Sequence, residues 1–412
     1  MTPHRHFILF FALIFCWIQS NAVHALALSE RHTPSGLNSH FDFKGDNFSD
    51  YRKHIRNIIL KSRIDIATDQ ARNNEKNDII NANLPFELLP SPSCPRATKG
   101  MPYSKGILLI HGLSDSPYTL HHLGTFLQQQ CFYVMTILLP GNGTRPGDLL
   151  DVRWQEWVKA TEFGTKLVKR KANTVWIGGF SLGATLALQQ ATQQPDIAGL
   201  IMISPALQLP AMAAYASWRQ WFGYFSETAL WWQVQPDEDH YKYESFPVNA
   251  ISQLYKLIQS IETTLKQPPS IPVLIAASED DASVDSRATI DIFKRWPHSH
   301  KQLIWYSREM QAQQGIVQIV DSRSTDRHIA SGSHVSLLIP DSDAYYGSNG
   351  QYAACTHYYE EQPDQWRQCK AKQEDILAET TPYFLSQGTV RRITYNLYFD
   401  DMLQTIATFV GD

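Results

Sequence analysis

The 412-residue sequence predicts an α/β protein with a mostly parallel central sheet and helices on both faces of that sheet. From residue 106 to residue 306, short apolar runs alternate with segments of helical apolar spacing, an order typical of such sheets. A long aromatic insertion interrupts this order after residue 204. The composition, 43% hydrophobic and 18% charged, indicates a globular protein with a sizeable core rather than a disordered chain.

The first strand and helix are predicted at residues 106–130. Residues 106–111 (GILLIH) are almost entirely apolar, which is typical of a strand buried on both faces. Leu120, Leu123 and Leu127 then recur at helical spacing, which predicts a helix over 117–130.

The same two patterns predict the later elements. They also predict a helix at 51–69 within a polar N-terminal region, and a final helix at 391–412. The later strands are expected at 131–139, 174–178, 200–204, 272–277 and 302–306, and the later helices at 154–169, 182–193 and 286–296.

The N-terminus has the features of a secretory signal peptide. Residues 7–18 form an apolar run behind Arg5 that is short for a membrane span, which needs about 20 residues. Residues 25–27 (ALA) match a small-residue cleavage site. We therefore expect residues 1–27 to be removed and the protein to be exported to the periplasm or the medium, with an uncleaved anchor as the alternative.

Export changes the interpretation of the cysteines. The mature chain keeps Cys94, Cys131, Cys355 and Cys369, an even number that suits disulfides in an oxidising compartment. Three pairings are open. We favour Cys355 with Cys369, since a loop of that size contributes about 3 kcal/mol in the loop-entropy treatment. That choice leaves Cys94 with Cys131, and four unpaired thiols are the alternative.

The most specific motif is GFSLG at residues 179–183, which matches G-x-S-x-G directly between a predicted strand and a predicted helix. A sharp strand-to-helix turn needs small residues on both sides of the serine, and it lifts the hydroxyl clear of the sheet. The same turn directs the N–H of Leu182 at a developing oxyanion. We therefore predict Ser181 as a nucleophile, whereas the alternative is a serine that only caps the helix.

A second loop, HGLSDSP at residues 111–117, follows the first predicted strand. Gly112 allows a turn that presents the N–H of Leu113 as a second oxyanion donor, opposite that of Leu182. His111 ends a buried strand ahead of the serine in the chain. We therefore expect His111 to hold the loop by hydrogen bonds rather than to act as a base.

A nucleophilic serine needs a general base and a carboxylate that orients the base. We expect the carboxylate in SEDDASVD (278–285), which follows a predicted strand. Asp280 and Asp281 are the candidates, since Asp285 is placed to cap the next helix.

The base is expected among the histidines that follow this loop. His334 lies in a small-residue loop beyond the last predicted strand, the position that a triad histidine needs. His328 is the alternative. His298 and His300 precede that strand and so lie at its opposite end.

Five segments together resemble α/β-hydrolase fold serine hydrolases, most closely the monoacylglycerol lipase and carboxylesterase branch. The resemblance covers about residues 100–340 and the final helix. One departure is Asn142, which replaces the histidine of a P-G-H-G-T pattern and concerns the shape of the pocket more than the chemistry. The segments are GILLIHGLSDSPYTL (106–120), LLPGNGTRPGDLL (138–150), WQEW (154–157), GGFSLGA (178–184) and the acid loop at 278–285.

The resemblance implies the choice of acid and the position of a cap over the active site. A D-x-x-V pattern at Asp281 and Val284 matches the acid loop of such hydrolases and favours Asp281, with Asp280 second. The cap corresponds to residues 205–270. Its aromatic residues are interpreted either as an acyl-binding wall that contacts lipid or as the core of the cap itself. The substrate-binding candidates are Trp218, Trp221, Phe222 and Trp231.

These observations predict an exported serine esterase that acts on short- to medium-chain acyl esters, with monoacylglycerols and lysophospholipids as candidate substrates. Acyl transfer, peptide hydrolysis and a non-catalytic binding role are the alternatives. The mechanism needs no metal or organic cofactor. The expected partner is a small ester or lipid. Binding of nucleic acid is disfavoured, because 36 Lys and Arg against 40 Asp and Glu give no basic excess.

The expected organisation has seven parts. They are a signal peptide at 1–27, an N-terminal extension at 28–100, a hydrolase core at 101–204 and 271–339, the cap at 205–270, a C-terminal insertion with a disulfide at 340–390, and a final core helix at 391–412.

Overall fold

A computed structural model describes residues 28–43, 45–64, 73–95, 97, 100–210, 226–309, 315–359 and 361–411. The predicted signal peptide lies outside these residues, as do Trp218, Trp221 and Phe222 of the predicted substrate wall. Among the described residues, no helix combines the length and the apolar character needed to cross a membrane.

An eight-stranded sheet forms the centre of the described part of the molecule. Its strands are Glu87–Leu88 (β1), Tyr103–Ile110 (β2), Phe132–Ile137 (β3), Ala172–Phe180 (β4), Ile197–Ile203 (β5), Val273–Ser278 (β8), Lys301–Ser307 (β9) and Val317–Asp321 (β10). Their spatial order is β1-β3-β2-β4-β5-β8-β9-β10. Only the short β1 runs antiparallel to its neighbour, so the predicted mostly parallel sheet is confirmed.

Helices cover both faces of this sheet, as predicted. The helices are Phe48–Ser62 (α1), Asn73–Asn83 (α2), His121–Gln129 (α3), Trp154–Lys169 (α4), Leu182–Gln193 (α5), Val248–Ser260 (α6), Glu262–Lys266 (α7), Ser286–Arg295 (α8), Pro363–Lys370 (α9), Pro382–Leu385 (α10) and Phe399–Gly411 (α11). One face of the sheet carries α1, α2, α4, α5, α6 and α8, and the other carries α3 and α11.

Strand β2 shows why its sequence is a continuous apolar run. Side chains alternate between the two faces of a strand. Leu108 and Ile110 join the core on one face of the sheet, whereas Ile107 and Leu109 join the core on the other. Both faces are covered, so neither set of positions can be polar.

The N-terminal region differs from the polar extension that the sequence predicts. Its first helix, α1, begins at Phe48 and ends at Ser62, and the Asn47 side chain caps it by accepting from the Asp50 N–H at 2.8 Å. A second helix, α2, was not predicted. Residues of both helices belong to the main hydrophobic core, so this region packs against the central sheet.

The C-terminal segment, defined here as residues 340–392, packs beside the carboxyl edge of the sheet. It contains two three-residue strands, Ile376–Ala378 (β11) and Val390–Arg392 (β12), which pair in parallel. The predicted final helix therefore does not begin at residue 391. It begins at Phe399, because residues 390–392 are extended and hydrogen-bonded as a strand.

The cap and the cysteines complete the described fold. Within the cap, Trp231–Gln233 (β6) and Phe246–Pro247 (β7) form a short antiparallel pair ahead of α6. The structure places both predicted cysteine pairs at disulfide distance, with S–S separations of 2.07 Å for Cys94–Cys131 and 2.05 Å for Cys355–Cys369. The second pair closes a loop inside the C-terminal segment.

Candidate active site

The turn between β4 and α5 consists of Ser181 alone. Its backbone has φ of +53° and ψ of −115°, a conformation that residues with side chains rarely adopt and that is concentrated at functional sites. A Cβ at Gly179 would lie 2.2 Å from the Gly183 carbonyl carbon, and one at Gly183 would lie 2.0 Å from the Ile110 oxygen. The geometry of the turn therefore requires both glycines of the motif.

Three loops beyond the carboxyl ends of the strands bring Ser181, Asp281 and His334 together. The His334 Nε2 lies 2.9 Å from the Ser181 Oγ, and its Nδ1 lies 2.6 Å from the Asp281 Oδ2. Ser181 and His334 are buried, and the His334 ring packs against Phe180 with 5.1 Å between ring centroids. This arrangement allows a proton to move from the serine to the histidine.

The second oxygen of Asp281 is held by the backbone of its own loop. The Asp281 Oδ1 accepts from the N–H of Ser283 at 2.8 Å and from the N–H of Val284 at 3.0 Å. The D-x-x-V pattern thus corresponds to a turn that fixes the carboxylate. This contact leaves Oδ2 directed at His334.

The neighbouring acids have other partners. Asp280 pairs with Arg308, whose Nε lies 2.8 Å from the Asp280 Oδ1. Burial raises the pKa of Asp280 even though Arg308 lies beside it. Asp285 caps α8, as predicted, by accepting from the Arg287 N–H at 3.0 Å. Only Asp281 of the three makes the contact with His334.

His111 is buried in the loop after β2. Its Nδ1 lies 2.7 Å from the Gly112 oxygen, and its Nε2 accepts from the Leu139 N–H at 3.0 Å. Burial lowers the pKa of His111. The ring therefore joins two loops as a neutral group, in agreement with the prediction, whereas the alternative base His328 is exposed.

The two predicted oxyanion donors belong to the segments that follow β2 and β4, which meet at Ser181. The Leu182 N–H begins α5, and the first N–H groups of a helix have no partner within it. Gly112 packs so closely that a Cβ there would lie 3.5 Å from the Ser181 Cβ, which brings the Leu113 backbone beside the serine. Within the described part of the chain, neither N–H donates to a backbone carbonyl.

The family described as serine aminopeptidase, S33, matches residues 102–310, slightly more than half of the chain. The chain belongs to this family. It is a serine hydrolase with the α/β-hydrolase fold, and the predicted resemblance to the monoacylglycerol lipase and carboxylesterase branch is confirmed.

Several known proteins are similar to this serine hydrolase. A thermostable monoacylglycerol lipase of Bacillus sp. (strain H-257) is 27% identical over 199 residues, which are 48% of this chain and 79% of the relative. A carboxylesterase of Bacillus subtilis (strain 168) is 21% identical over 211 residues, 49% of this chain and 82% of the relative. The solved structure of a Paleococcus ferrophilus monoacylglycerol lipase is 17% identical, covers 54% of this chain and 88% of that chain, and has a TM-score of 0.42.

The family match ends before the loop of His334, and the support of that loop comes from the C-terminal segment of this hydrolase. Glu379 is fully buried, and its carboxylate accepts from the His334 N–H at 3.0 Å. It also pairs with Arg392, whose Nε lies 2.6 Å away. Arg392 in turn donates to the Ser283 Oγ at 3.0 Å. One ion pair therefore connects the histidine loop with the acid loop.

The sequence did not point to Glu379 or Arg392. Burial alone would raise the pKa of Glu379, but the Arg392 guanidinium and the N–H groups of His334 and Thr380 hold that pKa below its ordinary value. The carboxylate is therefore ionised at neutral pH. A glutamate directly after the apolar triplet 376–378 was the one available signal.

A cavity of about 440 Å³ opens at Ser181. Trp232 of the cap lines it, whereas Trp231, predicted to bind substrate, faces away from it and packs against His32 with 4.9 Å between ring centroids. Trp231 is 4% exposed and Trp232 is 36% exposed, because successive side chains of strand β6 point to opposite sides. The apolar lining of the cavity includes Leu113, Phe180, Leu209, Phe246, Ile251, Leu254, Val284 and Val335.

The site offers no metal centre in the described residues. Among them, no three His, Cys, Asp or Glu side chains are grouped so that they could hold a metal ion.

Proposed function

We propose that this hydrolase cleaves carboxylic esters through Ser181, His334 and Asp281. The observation that carries the proposal is the continuous hydrogen-bonded chain from the Ser181 Oγ to the Asp281 carboxylate at the floor of an apolar cavity. In this arrangement Ser181 is the nucleophile, His334 is the general base, and Asp281 orients the imidazole.

The first half-reaction forms an acyl-enzyme. As the Ser181 Oγ attacks the ester carbonyl carbon, its proton moves to the His334 Nε2. The carbonyl oxygen becomes an oxyanion, which accepts from the N–H groups of Leu113 and Leu182. His334 then gives its proton to the leaving alcohol, so that the C–O bond of the ester breaks and the acyl group stays on Ser181.

The second half-reaction regenerates the enzyme. His334 takes a proton from a water molecule, whose oxygen attacks the acyl carbonyl carbon. The proton then passes from His334 to the Ser181 Oγ as the carboxylic acid leaves. Asp281 stabilises the imidazolium in both halves without itself becoming protonated.

The cavity favours short- to medium-chain acyl groups, and monoacylglycerols and lysophospholipids are candidate substrates. Its volume lies within the range of about 300–1,000 Å³ that is typical of small-molecule sites. An aminopeptidase, by contrast, needs a carboxylate for the substrate ammonium group. Asp115 is the acid that lines the cavity among the described residues, and its oxygens bind the Ser116 N–H and the Thr119 hydroxyl.

Hydrolysis of p-nitrophenyl esters from acetate to palmitate tests the proposal, with the aminoacyl p-nitroanilides beside them. We expect wild-type activity on esters with an optimum at short to medium chains, none on anilides, and none from Ser181→Ala. Equal inactivity of wild type and variant on every ester would overturn the proposal. A fluorophosphonate label on Ser181 would then distinguish a reactive nucleophile that uses another acyl donor from an unreactive scaffold.

Export and lipid contact belong to the same proposal. The apolar run at 7–18 and the two cysteine pairs support an oxidising compartment outside the cytoplasm. The aromatic residues of the cap support peripheral contact with lipid. N-terminal sequencing of the secreted protein should begin at residue 28, and activity on an emulsified ester should exceed that on the monomeric ester.

A further inference from the structure

A second cavity of about 250 Å³ lies beside the one at Ser181. It lies between the cap and the C-terminal segment, and charged and polar side chains alternate with aromatic and aliphatic ones in its lining. The side chains that line both cavities are Ser114, Gln233, Lys242, Phe246, Val335 and Arg392. The two cavities therefore meet at these residues, within one continuous site.

The acids of the second cavity are already occupied by donors of the protein. Asp239 accepts from the Tyr346 hydroxyl at 2.7 Å and from the Tyr241 N–H at 2.9 Å. Glu244 accepts from the Tyr352 hydroxyl. Burial raises the pKa of Asp239 to about 7, so this carboxyl also carries only part of its charge at neutral pH. A cationic ligand would find both carboxylates occupied.

The aromatic rings of the second cavity are likewise occupied by cations. The Lys242 Nζ lies 5.4 Å from the centroid of the Tyr346 ring, and the Lys370 Nζ lies 5.3 Å from that of Tyr352. Aromatic faces bind quaternary ammonium groups when they are open. These two faces already have lysines of the protein in front of them.

The ammonium group of Lys242 is different from the other cation at the junction. Arg392 is paired with Glu379, whereas no carboxylate of the described residues lies within salt-bridge distance of the Lys242 Nζ. The charge of Lys242 acts on Asp239, which is itself only partly charged at neutral pH. The Lys242 Nζ also lies 5.5 Å from the centroid of Phe180, the residue before Ser181, so a positive charge without a salt-bridge partner faces the junction of the two cavities.

We infer that the second cavity binds the alcohol part of the ester and that Lys242 selects alcohols carrying an anionic phosphate or carboxylate group. The inference rests on the proposed ester hydrolysis at Ser181. The acyl chain occupies the apolar cavity and the anionic group lies against Lys242, with the Gln233 amide and the Ser114 hydroxyl as further donors. A charge-assisted contact of this kind raises affinity about tenfold or more.

Four butyryl esters that differ only in the alcohol test the inference. Monobutyryl glycerol is neutral, monobutyryl glycerol phosphate and butyryl glycolate are anionic, and butyrylcholine is cationic. We expect kcat/KM to be about tenfold higher for at least one anionic ester than for the neutral one. The phosphate and the carboxylate are compared directly, so the preferred anion is identified as well.

Substitutions at Lys242 locate the preference. In Lys242→Met, the ratio of kcat/KM between the anionic and neutral esters should fall about tenfold, whereas Lys242→Arg should retain it. The exposed Lys256 of α6 is the matched control, because Lys256→Met removes one charge from the same cap and should leave the ratio unchanged. If Lys242→Arg keeps the ratio of kcat/KM, the loss of that ratio in Lys242→Met is due to the missing charge and not to misfolding caused by any substitution at this position.

The outcomes separate the inference from the proposed function. If wild type hydrolyses neutral esters but prefers no anion, or prefers butyrylcholine, the inference is wrong and ester hydrolysis stands. If no ester is hydrolysed, calorimetry on Ser181→Ala still measures binding of monobutyryl glycerol phosphate. A dissociation constant that does not rise when Lys242→Met is added would overturn the inference in that case.

Discussion

The strand–turn–helix around Ser181 and the C-terminal segment build the same site by different physical means. The first positions its serine through backbone geometry, since glycines on both sides leave no room for a side chain and the flanking strand is buried in the sheet. The second has strands of only three residues, and it supports the histidine and acid loops through the ion pair of the buried Glu379 with the half-buried Arg392. The first region is thus fixed by packing. The second is held by polar contacts, which weaken when one group is protonated or one atom is replaced.

The difference predicts how each region responds to substitution. A change at the turn removes a reacting group outright. A change in the C-terminal segment acts through the position of His334 and Asp281, so its effect on kcat should be smaller and should come with a loss of stability.

The largest effect is expected at the turn itself. Ser181→Ala should lower kcat for a p-nitrophenyl ester by about 10⁶-fold, because no other nucleophile replaces the hydroxyl. Steady-state and single-turnover assays measure this loss. Ser260→Ala, at the exposed end of α6, serves as the control and should retain full activity.

The next largest effect distinguishes two neighbouring acids. Asp281→Asn should lower kcat by about 10⁴-fold, because the imidazole loses the partner that fixes its tautomer. Asp280→Asn disturbs the pair with Arg308 and should lower kcat by less than about tenfold. Reversed magnitudes in the same ester assay would place the orienting carboxylate at Asp280.

A smaller effect tests the C-terminal segment. Glu379→Gln leaves the half-buried Arg392 without its carboxylate and loosens the His334 loop. We expect kcat to fall about 10- to 100-fold and the free energy of unfolding to fall by about 3 kcal/mol.

The same segment supplies the matched control for Glu379. Glu374 forms a second buried pair, 2.7 Å from the Arg391 Nη2, that does not contact either loop. Glu374→Gln should therefore lower stability in urea denaturation while kcat stays within about twofold of wild type. If Glu374→Gln lowered kcat as much as Glu379→Gln does, the loss of kcat would follow from lost stability and not from the position of the His334 loop.

Stability should also depend on pH through Glu379. The folded pKa of this carboxyl is lowered, so its contribution is fully present above the ordinary glutamate pKa of about 4.3 and is lost as pH falls through the lowered value. The difference in urea midpoint between wild type and Glu379→Gln should therefore be largest at neutral pH and should shrink in acid. A difference that grows in acid would contradict the assigned charge state.

Apart from the control variants, the smallest effect on catalysis is expected for the disulfide of the C-terminal segment. Replacing Cys355 and Cys369 by Ser should lower the free energy of unfolding by about 3 kcal/mol and kcat by only a few-fold. The Cys94–Cys131 disulfide closes a longer loop, so the same replacement there should cost about 4 kcal/mol. Thermal unfolding with and without reductant measures both.

The predictions from sequence were most accurate where one local pattern determines the structure. The apolar runs of β2 and β4 could be recognised because both faces of these strands are buried, and the turn at Ser181 could be recognised because close backbone contacts require its glycines. His334 could be predicted for a similar reason, since small residues surround it in its loop.

The predictions failed where long-range contacts decide. Strand β10 is only half-buried, so it lacks a continuous apolar run, and α2 has few apolar residues. Whether Trp231 or Trp232 faces the cavity depends on the register of the β6–β7 pair. A shift of the register by one residue turns every side chain of the strand to the opposite face. The contact of Glu379 with Arg392 arises from pairing of two short strands, whose length is insufficient for any periodic signal.

Glu379 and Arg392 lie late in the chain, so their contact can form only late in synthesis. On the proposed mechanism, the serine, the acid and the histidine are all synthesised before the two residues that hold their loops. A growing chain therefore contains every reacting group before the ion pair of Glu379 with Arg392 can form. On the proposed mechanism, full activity therefore requires synthesis to pass Arg392.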